Sequence, residues 1–116
     1  MLIPKNINYR NRRLLDLAHL INECQFKTPA CIGYQIHGCE PAHSDFGEHG
    51  KSMAMKAADD QHVASCHPCH VWFGEKHKPR AELLMIFNKA RQRTFDLYAK
   101  ERLLAAVGYK REASNV

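Results

Sequence analysis

The run Cys66-His67-Pro68-Cys69-His70 constrains this chain more than any other feature. Two thiolates three residues apart at a turn present both sulfurs to one side and can grip one metal ion. A tetrahedral zinc needs a second pair, and Cys24 and Cys31, separated by a loop containing Pro29, are the best candidates. Such a site ties the N-terminal half to the Cys66 segment, a long-range closure that a chain of 116 residues benefits from. Cys39, the odd cysteine, is either a buried small hydrophobe or a ligand in place of Cys31. The same five residues also fit the Cys-x-x-Cys-His pattern of covalent haem attachment. That alternative requires an exported, oxidising setting and an axial methionine such as Met53, Met55 or Met85.

Redox setting decides between these uses of cysteine. Five is an odd count, and Met1–Arg13 is polar and basic without the apolar stretch of a secretory signal. The expectation is a cytoplasmic chain with reduced thiols, which favours metal over disulfide or haem. Seven of the eight histidines lie between His37 and His77, which strengthens the metal reading. No wholly apolar run exceeds the five residues of Leu83–Phe87, which excludes a membrane-spanning helix. With 17 Lys+Arg against 12 Asp+Glu the net charge is +5, which favours a polyanionic partner.

The pattern predicts one domain over residues 11–107, an irregular arm over 1–10 and a tail over 108–116. Asn11 is the expected N-cap of a helix Arg12–Asn22 with an apolar stripe of Leu14, Leu15, Leu17, Ala18 and Ile21. Glu23–His43 reads as loop with short extended pieces at Tyr34–His37 and Ala42–Ser44. Asp45–Lys56 reads as an exposed polar loop, and His62–Ser65 as a strand leading into a short helix from Cys66 to Glu75. Trp72 and Phe73 are expected to pack beneath that helix. Pro79 opens a long helix over 80–107, with Gly108 beyond its end and about 42 Å of length, which leaves room for a break within it. Its stripe is Leu83, Phe87, Ala90, Thr94, Leu97, Tyr98, Leu104 and Ala105. Lys89, Arg91 and Arg93 stand on the outer face as candidate phosphate contacts, beside Lys100 and Arg102. This helix can fold back on its own core or pair with a second copy, so a homodimer is among the expectations.

The order Cys24…Cys31…Ala42-His43-Ser44-Asp45…His49-Gly50-Lys51…Lys56-Ala57-Ala58-Asp59…Cys66-His67-Pro68-Cys69-His70 resembles the prophage HNH-type (ββα-metal) nucleases related to YbcO. The likeness begins near Arg13-Leu14-Leu15-Asp16-Leu17-Ala18 and runs through Ala90-Arg91-Gln92-Arg93-Thr94. It implies an α+β fold, with a small zinc-stapled ββα-metal core flanked by an N-terminal helix and a long C-terminal helix. It also implies Cys24, Cys31, Cys66 and Cys69 on a structural Zn²⁺, His43 as general base, and His70 as ligand of a catalytic Mg²⁺ or other divalent ion. Asp59 falls near the middle position of the motif and is a further candidate ligand of that divalent ion. Asp45, His49, Lys51 and Lys56 match its polar loop, the first two as candidate metal ligands and the lysines as candidate catalytic residues. The chain departs from the family pattern at Ala42, Ser52, Ala54 and Gly74, where Glu75 stands one residue past the expected acid.

The expectation is therefore a metal-dependent endonuclease acting on phosphodiester bonds of DNA, in phage or prophage recombination or DNA processing. The base would activate water while the metal stabilises charge on phosphate and leaving oxygen. The alternative is a zinc-stapled accessory protein that binds nucleic acid without turnover.

Overall fold

A computed structural model describes residues 8–53 and 55–110. Asn11 accepts a hydrogen bond from the Leu14 amide at 3.1 Å and opens helix α1, Arg12–Asp16. The helix is shorter than Arg12–Asn22. It tightens into a 3₁₀ turn over Leu17–Leu20, and Ile21 is already extended. Three residues per turn stack Leu14 over Leu17 and Ala18 over Ile21 on one side, and all four are buried. Leu15 falls outside that side.

The sheet has two antiparallel strands, β1 Glu40–His43 and β2 His62–Ser65, with Glu40 opposite Ser65 and His43 opposite His62. Strand β2 falls where the sequence predicted it. Strand β1 starts two residues before the expected Ala42. The fragment Tyr34–His37 is not a strand, since Tyr34 makes a single bridge with Glu23. Gly38 explains the entry into β1. Its φ is +88°, and a Cβ there would run into the backbone carbonyl of His19. Ala64 of β2 is satisfied on both sides: the Gln25 amide donates to its carbonyl at 2.9 Å, and its amide donates to Thr94 Oγ1 at 3.2 Å. This covers a sheet edge that would otherwise be open.

Helix α2, His67–Gly74, follows β2 directly, giving the order strand, strand, helix. Helix α3, Arg80–Lys100, folds back across the sheet and is shorter than the helix read over 80–107, which is interrupted at Arg102. There the chain takes a left-handed conformation, φ 59°, before the short helix α4, Leu103–Ala106. The turn buries Leu104 and Val107 instead of carrying them past the core. Ala105, expected on the stripe, is exposed; Phe95, outside that stripe, is fully buried. Tyr109 covers Phe95 from the chain end, with ring centroids 5.7 Å apart. No helix among the described residues is long and apolar enough to cross a membrane.

Phe26, Phe46, Phe73 and Phe87 meet under α2, with centroids from 5.1 Å for Phe26–Phe73 to 6.1 Å for Phe46–Phe87. Phe73 touches the other three. Trp72 is half-buried at the edge, against the His77 ring. Phe73→Ala is expected to cost about 3–5 kcal/mol of unfolding free energy, read by urea titration of the zinc-loaded protein.

The residues expected to form a loose arm are a strap where they are described. Asn8 Nδ2 donates to the carbonyls of Gly50 and Lys56, both at 2.7 Å. The Arg10 guanidinium donates to the carbonyls of Ala57 at 2.6 Å and Lys56 at 2.9 Å. Residues 8–11 therefore fix the loop between the strands, which carries Asp45, His49, Lys51, Lys56 and Asp59. Residues 1–7, Ala54 and most of the expected tail lie outside the described residues.

Candidate functional site

Cys66 is the N-cap residue of α2 and Cys69 lies one turn on, so helix geometry brings the two thiols together. Cys24 and Cys31 bracket a closed loop, in which the Cys24 amide donates to the Gly33 carbonyl at 2.9 Å and the Cys31 amide to the Thr28 carbonyl at 3.0 Å. The four sulfurs lie within 4.8 Å of one another. Tetrahedral zinc at bonds of about 2.3 Å places its sulfurs roughly 3.8 Å apart, so a slight contraction completes the site. Donors already point at the sulfurs: Thr28 Oγ1 donates to Cys69 at 3.0 Å and the Gly33 amide to Cys31 at 3.4 Å. Burial works to raise the Cys24 thiol, but hydrogen bonds from the backbone of Cys66, Lys27 and Phe26 overcome it and bring the pKa to about 7. Cys31 and Cys69 are raised, chiefly by burial. This group is able to hold a metal such as zinc, which would turn all four into thiolates.

Cys39 is not part of the group. It is buried, and burial with the neighbouring thiols pushes it up to about 12. Of the two readings of the odd cysteine, the buried hydrophobe is the observed one. The haem reading fails because Cys66 and Cys69 face Cys24 and Cys31.

At the far end of β1, His43 Nε2 donates to Asp59 Oδ1 at 3.0 Å. The His43 side chain is 26% exposed and that of Asp59 only 8%. The second Asp59 oxygen accepts from the Asn11 amide at 2.7 Å, and Arg10 lies 3.4 Å from the first. Burial works to raise the Asp59 carboxyl. The hydrogen bonds from His43 and Asn11, with the charges of His43 and Arg10, outweigh it and hold the group below the ordinary range. An ionised Asp59 only accepts, so it fixes the proton on His43 Nε2 and leaves the lone pair on Nδ1.

His62, a residue without an assigned role in the sequence reading, anchors Asp59 from inside. It is fully buried, with Nδ1 2.7 Å from the Asp59 carbonyl and Nε2 2.9 Å from the Tyr98 hydroxyl. A carbonyl only accepts, so Nδ1 carries the proton and Tyr98 donates to Nε2. Burial lowers the His62 pKa to about 4, with the charges of His43 and Arg91 adding to it. The unfolded imidazole titrates near 6.5, so this group's contribution is complete above that pH. It is lost as pH falls from 6.5 towards 4, on the order of 3 kcal/mol. Urea midpoints across that window should fall less steeply in His62→Asn than in wild type.

The other candidates have separate partners. His70 Nδ1 donates to Glu40 Oε2 at 2.6 Å, and His67 Nδ1 donates to the same oxygen at 3.1 Å. Burial works to raise the Glu40 carboxyl, and the two imidazoles more than offset it, leaving it lowered. The Ser44 hydroxyl and His49 Nδ1 are hydrogen-bonded at 2.6 Å, and that ring packs on Phe46 and Phe87; burial lowers its pKa. Asp45 pairs with Lys76. Lys51 is exposed with its ammonium on the Ser52 carbonyl, and Lys56 is exposed. The expected catalytic-metal set of His70, Asp59, Asp45 and His49 is thus not assembled. His70 lies at the Glu40 end of β1 and Asp59 at the His43 end, about 10 Å along the strand. Among the described residues the four cysteines are the group of three or more whose donor atoms cluster within 4.8 Å.

The expected phosphate-contacting face also changes. Arg91 donates to the Asp60 carbonyl at 2.9 Å and lies 4.3 Å over the Phe95 ring. Arg93 donates to the carbonyls of Gln25 at 2.7 Å and Phe26 at 3.2 Å. Both arginines therefore tie helix α3 to loops, and Lys89 alone of the three is exposed.

No family model, no curated protein and no solved structure matches this chain.

Proposed function

We propose that the chain is a nuclease of the HNH, or ββα-metal, class that hydrolyses phosphodiester bonds of DNA. The observation that carries this reading is the His43–Asp59 pair. A partly exposed imidazole at a strand end, oriented by a buried carboxylate, is the arrangement of a general base. Asp59 holds Nε2–H, so Nδ1 is the nitrogen that takes the proton from water, and the imidazolium so formed is stabilised by the adjacent carboxylate. The strand, strand, helix order and the four-cysteine group agree with the same class. The residues the family resemblance offered for a catalytic Mg²⁺ do not fit one ion, because they hold separate partners. The general-base step is therefore assigned to this chain's own residues alone.

A second reading, a nucleic-acid-binding module without turnover, is favoured by that same scatter of the expected ligands. Incubation of supercoiled plasmid with the protein and Mg²⁺, Mn²⁺ or Zn²⁺ separates the two. Nicking that EDTA suppresses supports the nuclease. A salt-sensitive gel shift with no nicking in any metal supports the binding module and overturns the nuclease.

A further inference from the structure

We propose that Glu40, His67 and His70 form a second transition-metal site, separate from the four cysteines and open to solvent, selective for Zn²⁺, Co²⁺ or Ni²⁺ over Mg²⁺. It stands independently of the hydrolytic reading.

Two imidazoles reach one carboxylate oxygen, with Glu40 Oε2 2.6 Å from His70 Nδ1 and 3.1 Å from His67 Nδ1. His67 and His70 are three apart on α2 and share a face, while Glu40 comes from the start of β1. Strand register fixes that approach, because Glu40 lies opposite Ser65, the residue before the Cys66 cap. The three donors are therefore placed by elements that the cysteine group and the sheet already hold.

The spacing suits an ion that takes the place of the shared protons. Donors at about 2.0–2.1 Å from tetrahedral zinc stand roughly 3.3 Å from one another. The two carboxylate–imidazole separations are close to that value. The two imidazole nitrogens do not lie within 4.8 Å of each other, so one ring has to turn inward. His67 is free to do so, its side chain being 73% exposed. Two imidazoles and one carboxylate leave the fourth position to water, the composition of an open zinc site. Imidazole nitrogen favours zinc, cobalt and nickel, whereas Mg²⁺ prefers an all-oxygen shell. Zinc on four thiolates carries a net charge of −2, which adds an attractive field beside the site.

Cobalt titration of the full-length, untagged, metal-stripped protein tests the site. Cobalt on the cysteines gives sulfur charge-transfer absorption; cobalt on Glu40, His67 and His70 gives visible ligand-field bands without it. Wild type is expected to bind two equivalents, the second without new sulfur absorption and unaffected by a large excess of Mg²⁺. Glu40→Gln and His70→Ala should each stop at one equivalent with sulfur absorption intact, which shows that the fold is retained. His77→Ala should still bind two. A single equivalent in wild type overturns the proposal, as does a second equivalent that survives in both variants or is displaced by Mg²⁺.

Discussion

Stripping metal from the four-cysteine group is expected to abolish the cooperative fold of the N-terminal half and to lower the melting temperature by 20 °C or more. The size follows from two magnitudes. Structural zinc in small domains supplies on the order of 10 kcal/mol of coupled binding and folding free energy, while a domain of this length has about 5–15 kcal/mol of stability. Each kcal/mol lost moves the midpoint by roughly 4–8 °C in a domain of this size, so even a partial loss reaches that threshold. Between Ile21 and Cys39 the described chain has no helix or named strand, only turns and one isolated bridge, so the cysteines share the task of holding it with buried Phe26 and the hydrogen bonds of Gln25 to Ala64 and of Arg93 to Gln25 and Phe26. Calorimetry of zinc-loaded and chelated protein, with Cys69→Ser alongside, reads the effect. Cys39→Ser serves as the control. It should keep the wild-type metal content, because Cys39 lies outside the group. Equal melting with and without zinc, or zinc loss in Cys39→Ser, would contradict the assignment.

The parts of this molecule that were readable from sequence are those where a local pattern and a tertiary need coincide. His62–Ser65 is bounded by a turn before it and by the Cys-His-Pro-Cys turn after it, so its limits are local. Asn11 caps a helix as its side-chain chemistry dictates, yet the helix ends at Asp16. Burying Leu14, Leu17, Ala18 and Ile21 together demands a tighter winding than the periodicity alone implies. Glu40–His43 contains a proline and follows Gly38, so only its end, at Ala42 and His43, is marked as extended by the local pattern. Its pairing with β2 makes the whole segment a strand.

The same division runs through the candidate site. Cysteine spacing identified the metal group because two of its ligands share one turn. The partners of the histidines were hidden because they are remote: Glu40 is 27 and 30 residues from His67 and His70, and Tyr98 is 36 from His62. Arg91 and Arg93 misled for a related reason. An arginine on the outer face of a helix looks free until the loop that claims it is placed. His62 had a weak signal available, since it opens a strand whose next residues are Val63 and Ala64, and a histidine buried there needs partners for both ring nitrogens.

Replacing His43 with Ala is expected to lower DNA nicking by about 10²–10⁴-fold, the range a positioned general base supplies, while leaving metal content and melting behaviour close to wild type. The separation of the two readouts follows from the geometry. The His43 side chain is partly exposed and its side-chain hydrogen bond is to Asp59, which keeps Asn11 and Arg10 as partners when the imidazole is gone. Stability should therefore change little. Asp59→Asn tests the orientation of the imidazole. The amide can either accept at Nε2–H or present its own donor there, and in the second case it forces the opposite tautomer and moves the lone pair away from Nδ1. Its loss in rate should be large but smaller than that of His43→Ala, and its fold weaker, because Asp59 also anchors the Asn11 cap. Supercoiled-plasmid nicking by the zinc-loaded variants at matched metal content gives all three rates. If His43→Ala cuts at the wild-type rate, the proton acceptor is elsewhere and the nuclease reading loses the observation that carries it. If Asp59→Asn loses rate only in proportion to the protein that unfolds, the carboxylate is a structural anchor and His43 is oriented without it.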